Sequence, residues 1–336
     1  VSRDWRLPEN RWEGFLRFYE FQLHTKGHPG AVYMLLPAVA DALELDEDGR
    51  AWLVWLNGNT QNIVTSLLLL EAAPSHHEWP AAVDFWNTHF RDLEWDTDRR
   101  HQKSKFGEAT ETWADRNPNP AQGWFRAAQG GWPETWKYAT SQPYMGRLSA
   151  WSMTEYARIL MGPAIPDAST FLLEDRAGSR SHRNGLAVIA GYDGAEHWDA
   201  DVADLLGVVP ELQTLSERLL AQAVIRTGHP DVSRLTMESA LCTYKSHYKP
   251  NRRYPNVYHD MMYNRIRRAE ERFGDRFEIL WKTRREQLPA ELLVETNPAR
   301  NRLTPEKQNW FRETGEFHYL HLFFKDMEPS GWEQRR

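Results

Sequence analysis

The chain has 336 residues, a formal net charge of -6 and one cysteine, Cys242. That length buries a sizeable core unaided, and a lone thiol makes neither an internal disulfide nor a cysteine zinc cluster, so a disulfide-built scaffold is excluded. The net acidity excludes a uniformly basic nucleic-acid coat. The most apolar run, residues 63–70, is broken by Thr65 and Ser66 and falls far short of the roughly 20 residues a membrane helix needs. Residues 1–11 are charged and carry no apolar signal core. A soluble, cytoplasmic protein is expected.

In chain order, Trp12, Phe15, Leu16, Tyr19 and Leu23 recur at helical spacing, which predicts a helix over 11–24. The pattern continues over 31–43, where Pro37 should start or kink a helix. Asp46-Glu47-Asp48-Gly49 looks like the start of a calcium loop, but the twelfth position is Asn57 and not Glu, so a turn is expected. Residues 50–71 read as one buried helix or two, split near Gly58, and Pro80 begins another over 80–93. Residues 94–147 are rich in Gly, Pro, Asn and Trp and read as irregular structure with short helices. A helix over 150–161 ends at Gly162-Pro163. Residues 167–185 run from a short apolar stretch into a polar loop, and 199–225 read as helices broken near Pro210. Two further helices follow at 231–247 and 256–288, with Pro250 and Pro255 between them, and a last at 304–325. With no hairpin, repeat or βαβ alternation, a mainly α, irregular helical fold is expected. It is read as one large domain over 1–336 with long loops, with a possible subdivision near 165–200.

Four constellations could carry chemistry. Asp96, Asp98, Arg99, Arg100, His101, Lys103 and Lys105 lie between Trp95 and Phe106, so acids that could act as bases sit beside guanidinium forks suited to phosphate. Arg180, Ser181, His182, Arg183 and Asn184 lie in a Gly-bounded, donor-rich stretch that could cradle an anion, with His182 able to carry a proton near neutral pH. Asn57, Asn59, Gln61 and Asn62 sit between apolar stretches and could read a base edge or cap helices. Lys245, Lys249, Arg252, Arg253, Tyr254 and Arg265 interleave cations with rings, as a nucleic-acid strand requires. Residues 245–285 hold twelve Lys or Arg against five Asp or Glu, a local charge of +7. Solvated charged loops, core hydrogen bonds and a tyrosine-rich packing seam are the plain alternatives. Sixteen Trp must mostly serve the core, with a few free to stack on bases. His76-His77-Glu78 and Glu316–His321 are weak metal candidates, so no metal and no cofactor are expected. No G-x-S-x-G, P-loop or dinucleotide fingerprint is present.

The blocks RWEGFLRFYEFQ, LNGNTQNIV, FRDLEWDTDRRHQKSKF, EDRAGSRSHRNGL and YPNVYHDMMYNRI, in that order over roughly 11–325, resemble those of the phage amino acid:DNA transferases. That family groups with the α-glutamyl/putrescinyl thymine pyrophosphorylase-type proteins. The resemblance implies a distant likeness to helical DNA glycosylases. It also implies a substrate of phosphorylated or pyrophosphorylated 5-hydroxymethyluracil in phage DNA, supplied by a DNA-base kinase. The phosphate would be replaced by the amine of an amino acid such as glycine, or of a polyamine, in the cytoplasm of the infected host cell. Leu206-Gly207-Val208-Val209-Pro210 lacks the Gly-h-Gly of a helix-hairpin-helix turn.

Such chemistry needs cations to neutralise the leaving phosphate, a base to free the amine, and a pocket for a base taken out of the stack. The expected roles are catalytic for His182, Asp98 and Asp96. Arg180, Ser181, Arg183, Asn184, Arg99, Arg100, Asn59 and Gln61 are expected to bind phosphate or substrate. Lys245, Lys249, Arg252, Arg253, Tyr254 and Arg265 are expected to bind DNA. The competing readings are a base-excision or phosphohydrolase-like enzyme on the same scaffold, using Asp98 or Asp260 to activate water, and a non-enzymatic DNA-binding protein.

Overall fold

Apolar residues at three- and four-residue spacing recur along much of the sequence, and some helices open on a side-chain cap or a first-turn proline, as at Asp46, Asn62, Pro80, Pro120 and Ser233. A computed structural model describes residues 7–25, 32–94, 104–175, 180–198, 205–248 and 255–287. The helices are α1 (Pro8–Thr25), α2 (Val32–Ala42), α3 (Glu47–Thr60), α4 (Ile63–Ala72), α5 (Trp79–His89), α6 (Phe106–Arg116), α7 (Pro120–Gln129), α8 (Gly131–Thr140), α9 (Arg147–Met161), α10 (Arg180–Ile189), α11 (Leu205–Thr227), α12 (Arg234–Tyr244), α13 (Pro255–Phe273) and α14 (Glu278–Gln287). Short 3-10 turns follow α4 and α12 and precede residue 198. Among the described residues there is no strand, and no helix is long and apolar enough to cross a membrane. The expected helix at 304–325 lies outside the described residues.

The described residues divide into two compact units, one drawn from Val1–Pro29 and Thr170–Met261, the other from Gly30–Ser169 and Met262–Gln287. In the first, α10 packs along α12, and α1 lies against α10, α11 and α12. Phe15 and Tyr19 of α1 stack at 5.9 Å, and Phe15 meets the Tyr244 ring edge-on at 5.4 Å. A capping box opens α12. The Ser233 hydroxyl accepts the Thr236 N–H at 3.1 Å, and the Thr236 hydroxyl accepts the Ser233 N–H at 3.2 Å.

In the second unit, α3 packs along α9, α7 pairs with α8, and α14 lies on α2. Its centre is aromatic. Trp113 stacks on Trp55 at 5.0 Å and on Trp52 at 5.4 Å, and Trp86 stacks on Phe106 at 3.8 Å. The Trp52 indole N–H donates to the Ala73 carbonyl at 2.8 Å, which gives a buried ring its polar partner. Five tryptophans, Trp52, Trp55, Trp86, Trp113 and Trp124, are fully buried and so belong to the core.

Four expectations change in the structure. The acidic turn at 46–49 is a helix start: Asp46 accepts the Gly49 N–H at 2.8 Å, while Asp48 accepts the Ala121 N–H at 2.9 Å and ties down the start of α7. The break expected at Gly58 falls at Gln61, which takes the left-handed conformation (φ 47°), followed by Asn62 as the cap of α4. Residues 104–140 hold three of the expected short helices with less irregular chain between them than expected, because Pro120 sits in a first turn and Gly130 marks a one-residue break. Helix α11 runs through Pro210, which lies in its second turn, so the break expected there does not occur.

Candidate active site

The donor-rich stretch expected to be a loop is the first half of α10, from Arg180 onward. Its burial explains the difference. His182, Arg183 and Asn184 are all buried, so tertiary packing overrides the polar character of the segment. The packing depends on Gly185. A Cβ there would lie 2.5 Å from the Leu241 carbonyl oxygen, so only glycine lets α10 approach α12 this closely. On the opposing helix, Glu238, Leu241, Cys242 and Lys245 follow one another at i, i+3, i+4 and i+7 and form one stripe. That stripe meets Ser181, His182 and Gly185.

His182 is 4 % exposed and Glu238 is 6 % exposed. The His182 Nε2–H donates to the Phe171 carbonyl at 3.0 Å, and Nδ1 lies 2.8 Å from Glu238 Oε1. A carbonyl only accepts, so Nε2 must carry a proton. The Nδ1–Oε1 contact then needs one more proton, held by the ring as imidazolium or by the acid. The pair is therefore a buried store of one proton, shared between Nδ1 and Oε1. The Cys242 thiol donates to Glu238 Oε1 at 3.2 Å, and the Ser239 hydroxyl donates to Oε2 at 3.4 Å. Lys245 donates to the Ser181 carbonyl at 2.9 Å and also to the Ser181 hydroxyl. Burial, reinforced by the Glu238 carboxylate, holds the Cys242 thiol well above its usual range, with Lys245 opposing. This thiol is a donor at neutral pH and not a thiolate nucleophile. His182, Glu238 and Cys242 bring three ligand-type atoms within 4.8 Å of one another and are the set that could hold a metal ion among the described residues. In the structure those atoms serve hydrogen bonds to one another.

The other expected site residues fall as follows. Arg180 is exposed, and its Nε donates to the Trp198 carbonyl at 3.2 Å. The Asn184 amide donates to the same carbonyl at 2.8 Å. Arg183 is 1 % exposed and lies inside the unit. Asn59 and Gln61 belong to the other unit. Asn59 is fully buried and donates to the Trp55 carbonyl at 2.8 Å; Gln61 donates to the Ser152 hydroxyl at 3.2 Å. Asn57 accepts from Ser66 at 3.1 Å, so this amide cluster fastens α3 to α4. Lys245 and Arg265 are buried and thus differ from an exposed basic face. Asp96, Asp98, Arg99, Arg100, Lys249, Arg252, Arg253 and Tyr254 lie outside the described residues. Glu238 escaped the sequence reading; its one signal was an acid on an otherwise apolar helix stripe ending in Cys242 and Lys245.

The cations of 262–287 are largely committed. Arg268 grips Glu94 with two bonds of 2.8 and 2.7 Å, and Arg272 reaches the same carboxylate at 3.3 Å. The Glu94 bonds hold the Arg268 guanidinium above its usual range. Arg267 pairs with Glu270, Arg276 with Glu71, Lys282 with Glu286 and Arg285 with Glu278.

Comparison with known proteins adds three findings. A family model described as amino acid:DNA transferase matches residues 31–253. A serinyltransferase of Salmonella phage ViI is 27 % identical over 363 aligned residues, covering 99 % of this chain and 87 % of the relative. No solved structure matches.

Proposed function

From the chain's membership of the amino acid:DNA transferase family, we propose that it joins an amino acid to a phosphorylated 5-hydroxymethyluracil in phage DNA, with its proton chemistry on His182 and Glu238. The bond from the 5-methylene carbon to the phosphate oxygen breaks, and the phosphate leaves with the electron pair. The amine nitrogen bonds to that carbon and gives up a proton. A free amino acid is protonated near neutral pH, so a base must first take its proton. The observation that carries the assignment is the buried His182–Glu238 contact: once its shared proton has left, the pair can accept one from the amine.

Arg180 is exposed at the start of α10, where helix-end N–H groups and a guanidinium both favour phosphate oxygens. Ser181, half-buried and held by Lys245, adds a hydroxyl at the same edge. Asn184 is tied to the Trp198 carbonyl that Arg180 also uses. Arg99 and Arg100 remain the candidates for a second phosphate clamp, with Asp96 and Asp98 as alternative bases. Lys249, Arg252, Arg253 and Tyr254 are the candidates for DNA contact. The relative's name makes serine the first donor to test, with glycine second.

The test is single-turnover reaction on 5-phosphomethyluracil DNA with serine or glycine, followed by nucleoside mass spectrometry. An adduct of the base plus the amino acid is expected, and fragmentation distinguishes attachment through nitrogen from attachment through the serine oxygen. An abasic site, or a plain hydroxymethyl base, would transfer the site to base excision or phosphate hydrolysis instead.

A further inference from the structure

In the second unit a cleft of about 560 Å³ lies between α7 and α8, closed at one end by the turn at 117–119. Its floor is fixed. The Tyr138 hydroxyl donates to Asn117 Oδ1 at 2.7 Å, and the Asn117 amide donates to the Trp113 carbonyl at 2.8 Å. Gly123 gives the floor its depth, because a Cβ there would lie 2.4 Å from the Tyr138 oxygen. Arg116, Arg126 and Lys137 line the walls against one acid, Glu134. Lys137 lies 3.5 Å from Glu134. Neither Arg116 nor Arg126 has a hydrogen-bond or ion-pair partner among the described residues.

This is where the cleft differs from the basic stretch that dominates the sequence. Every exposed cation of 262–287 is held by a carboxylate. A cation already paired gives little to a phosphate, since the new contact must replace the old one. Two uncommitted guanidiniums lining one cleft present planar forks that match phosphate oxygens. We propose that the α7–α8 cleft binds phosphate groups of the DNA strand away from the reacting base, as a positioning contact. The proposal rests on the reading that DNA is the substrate.

The test measures binding of a labelled, unmodified duplex and of a single strand across a salt series. It compares wild type, the double variant Arg116→Ala/Arg126→Ala, and Arg91→Ala, which removes an exposed cation outside the cleft. Losing two phosphate contacts should flatten the slope of log affinity against log salt by about 2 and weaken binding on the order of tenfold at low salt. Arg91→Ala should behave as wild type, and the thermal midpoint of the double variant should be unchanged. Wild-type affinity and slope in the double variant would overturn the proposal. So would calorimetric binding of inorganic phosphate that the double variant loses while its DNA affinity stays intact, which would give the cleft to free phosphate. Failure of the transferase reading looks different: no adduct forms on phosphomethyluracil DNA, whatever the salt series shows.

Discussion

At the residue scale, Glu238 accepts from a thiol and a hydroxyl and shares a proton with an imidazole. Glu238→Gln removes the shared proton but keeps the shape. The single-turnover rate should fall about a hundredfold, as for loss of a general base, and the rate should lose its acidic limb in a pH profile. A variant of wild-type rate would leave His182 as a core histidine with two satisfied nitrogens. Cys242 gives a second test. Its proton is held to higher pH in the folded chain than in the unfolded one. Stability from this group is therefore complete below the ordinary thiol pKa of roughly 8.5, and it falls as pH rises from there toward the raised folded value. Denaturant titrations above that pH should show wild type losing up to about 1.4 kcal/mol per pH unit more than Cys242→Ser. Equal slopes would mean that the thiol is not held back. The sequence singled out His182 by its donor-rich neighbours. It could not supply Glu238, because periodicity shows that a helix has a buried stripe but not which stripe faces it.

At the scale of elements, two glycines show the same close approach with different consequences. A Cβ on Gly185 would meet the Leu241 backbone oxygen at 2.5 Å, and one on Gly58 would meet the Met153 Cγ at 2.5 Å. Backbone cannot yield without moving α12, whereas a methionine side chain can rotate away. Gly185→Ala should cost about 1–3 kcal/mol and also slow the reaction by parting His182 from Glu238. Gly58→Ala should be nearly neutral, since the helix propensity gained, about 1 kcal/mol, offsets the repacking of Met153. Thermal melts of both variants check this, and equal losses would contradict it. The same logic explains what could be read of the elements. The helices at 11–24 and 150–161 were legible because their apolar spacing is regular. Residues 104–140 were legible as holding short helices but not in their bounds, because Gly123, Gly130 and Pro120 count as breakers in a sequence while in the fold they serve close packing, a turn and a helix start.

At the scale of the whole molecule, a chain of net charge -6 must meet an anionic polymer through local groups. The +7 of residues 245–285 overstates what is available, because carboxylates outside that window, Glu71 and Glu94, lie within reach of its arginines. Charge counted along a sequence omits partners that only folding supplies, and for this reason the proposed DNA contacts were less legible than the helical class. Arg252 and Arg253 precede the paired segment. Charge reversal of both should weaken duplex binding and flatten its salt dependence by about 2, the amount expected for two lost phosphate contacts. Combined with Arg116→Ala/Arg126→Ala, the losses should add if separate phosphates are touched. A combined variant no weaker than either pair would mean that one of the two segments never reaches the strand.

The bond from His182 Nε2 to the Phe171 carbonyl has a spectroscopic consequence. A ring proton that is buried and bound to a backbone oxygen exchanges slowly with water, so it should give its own resolved proton resonance in a nuclear magnetic resonance spectrum. The frequency of that resonance follows the charge on the ring, and so reports which partner holds the shared proton. Titrating the enzyme with phosphate or an amino acid while watching this one line would show the proton store responding to each ligand before any bond is made.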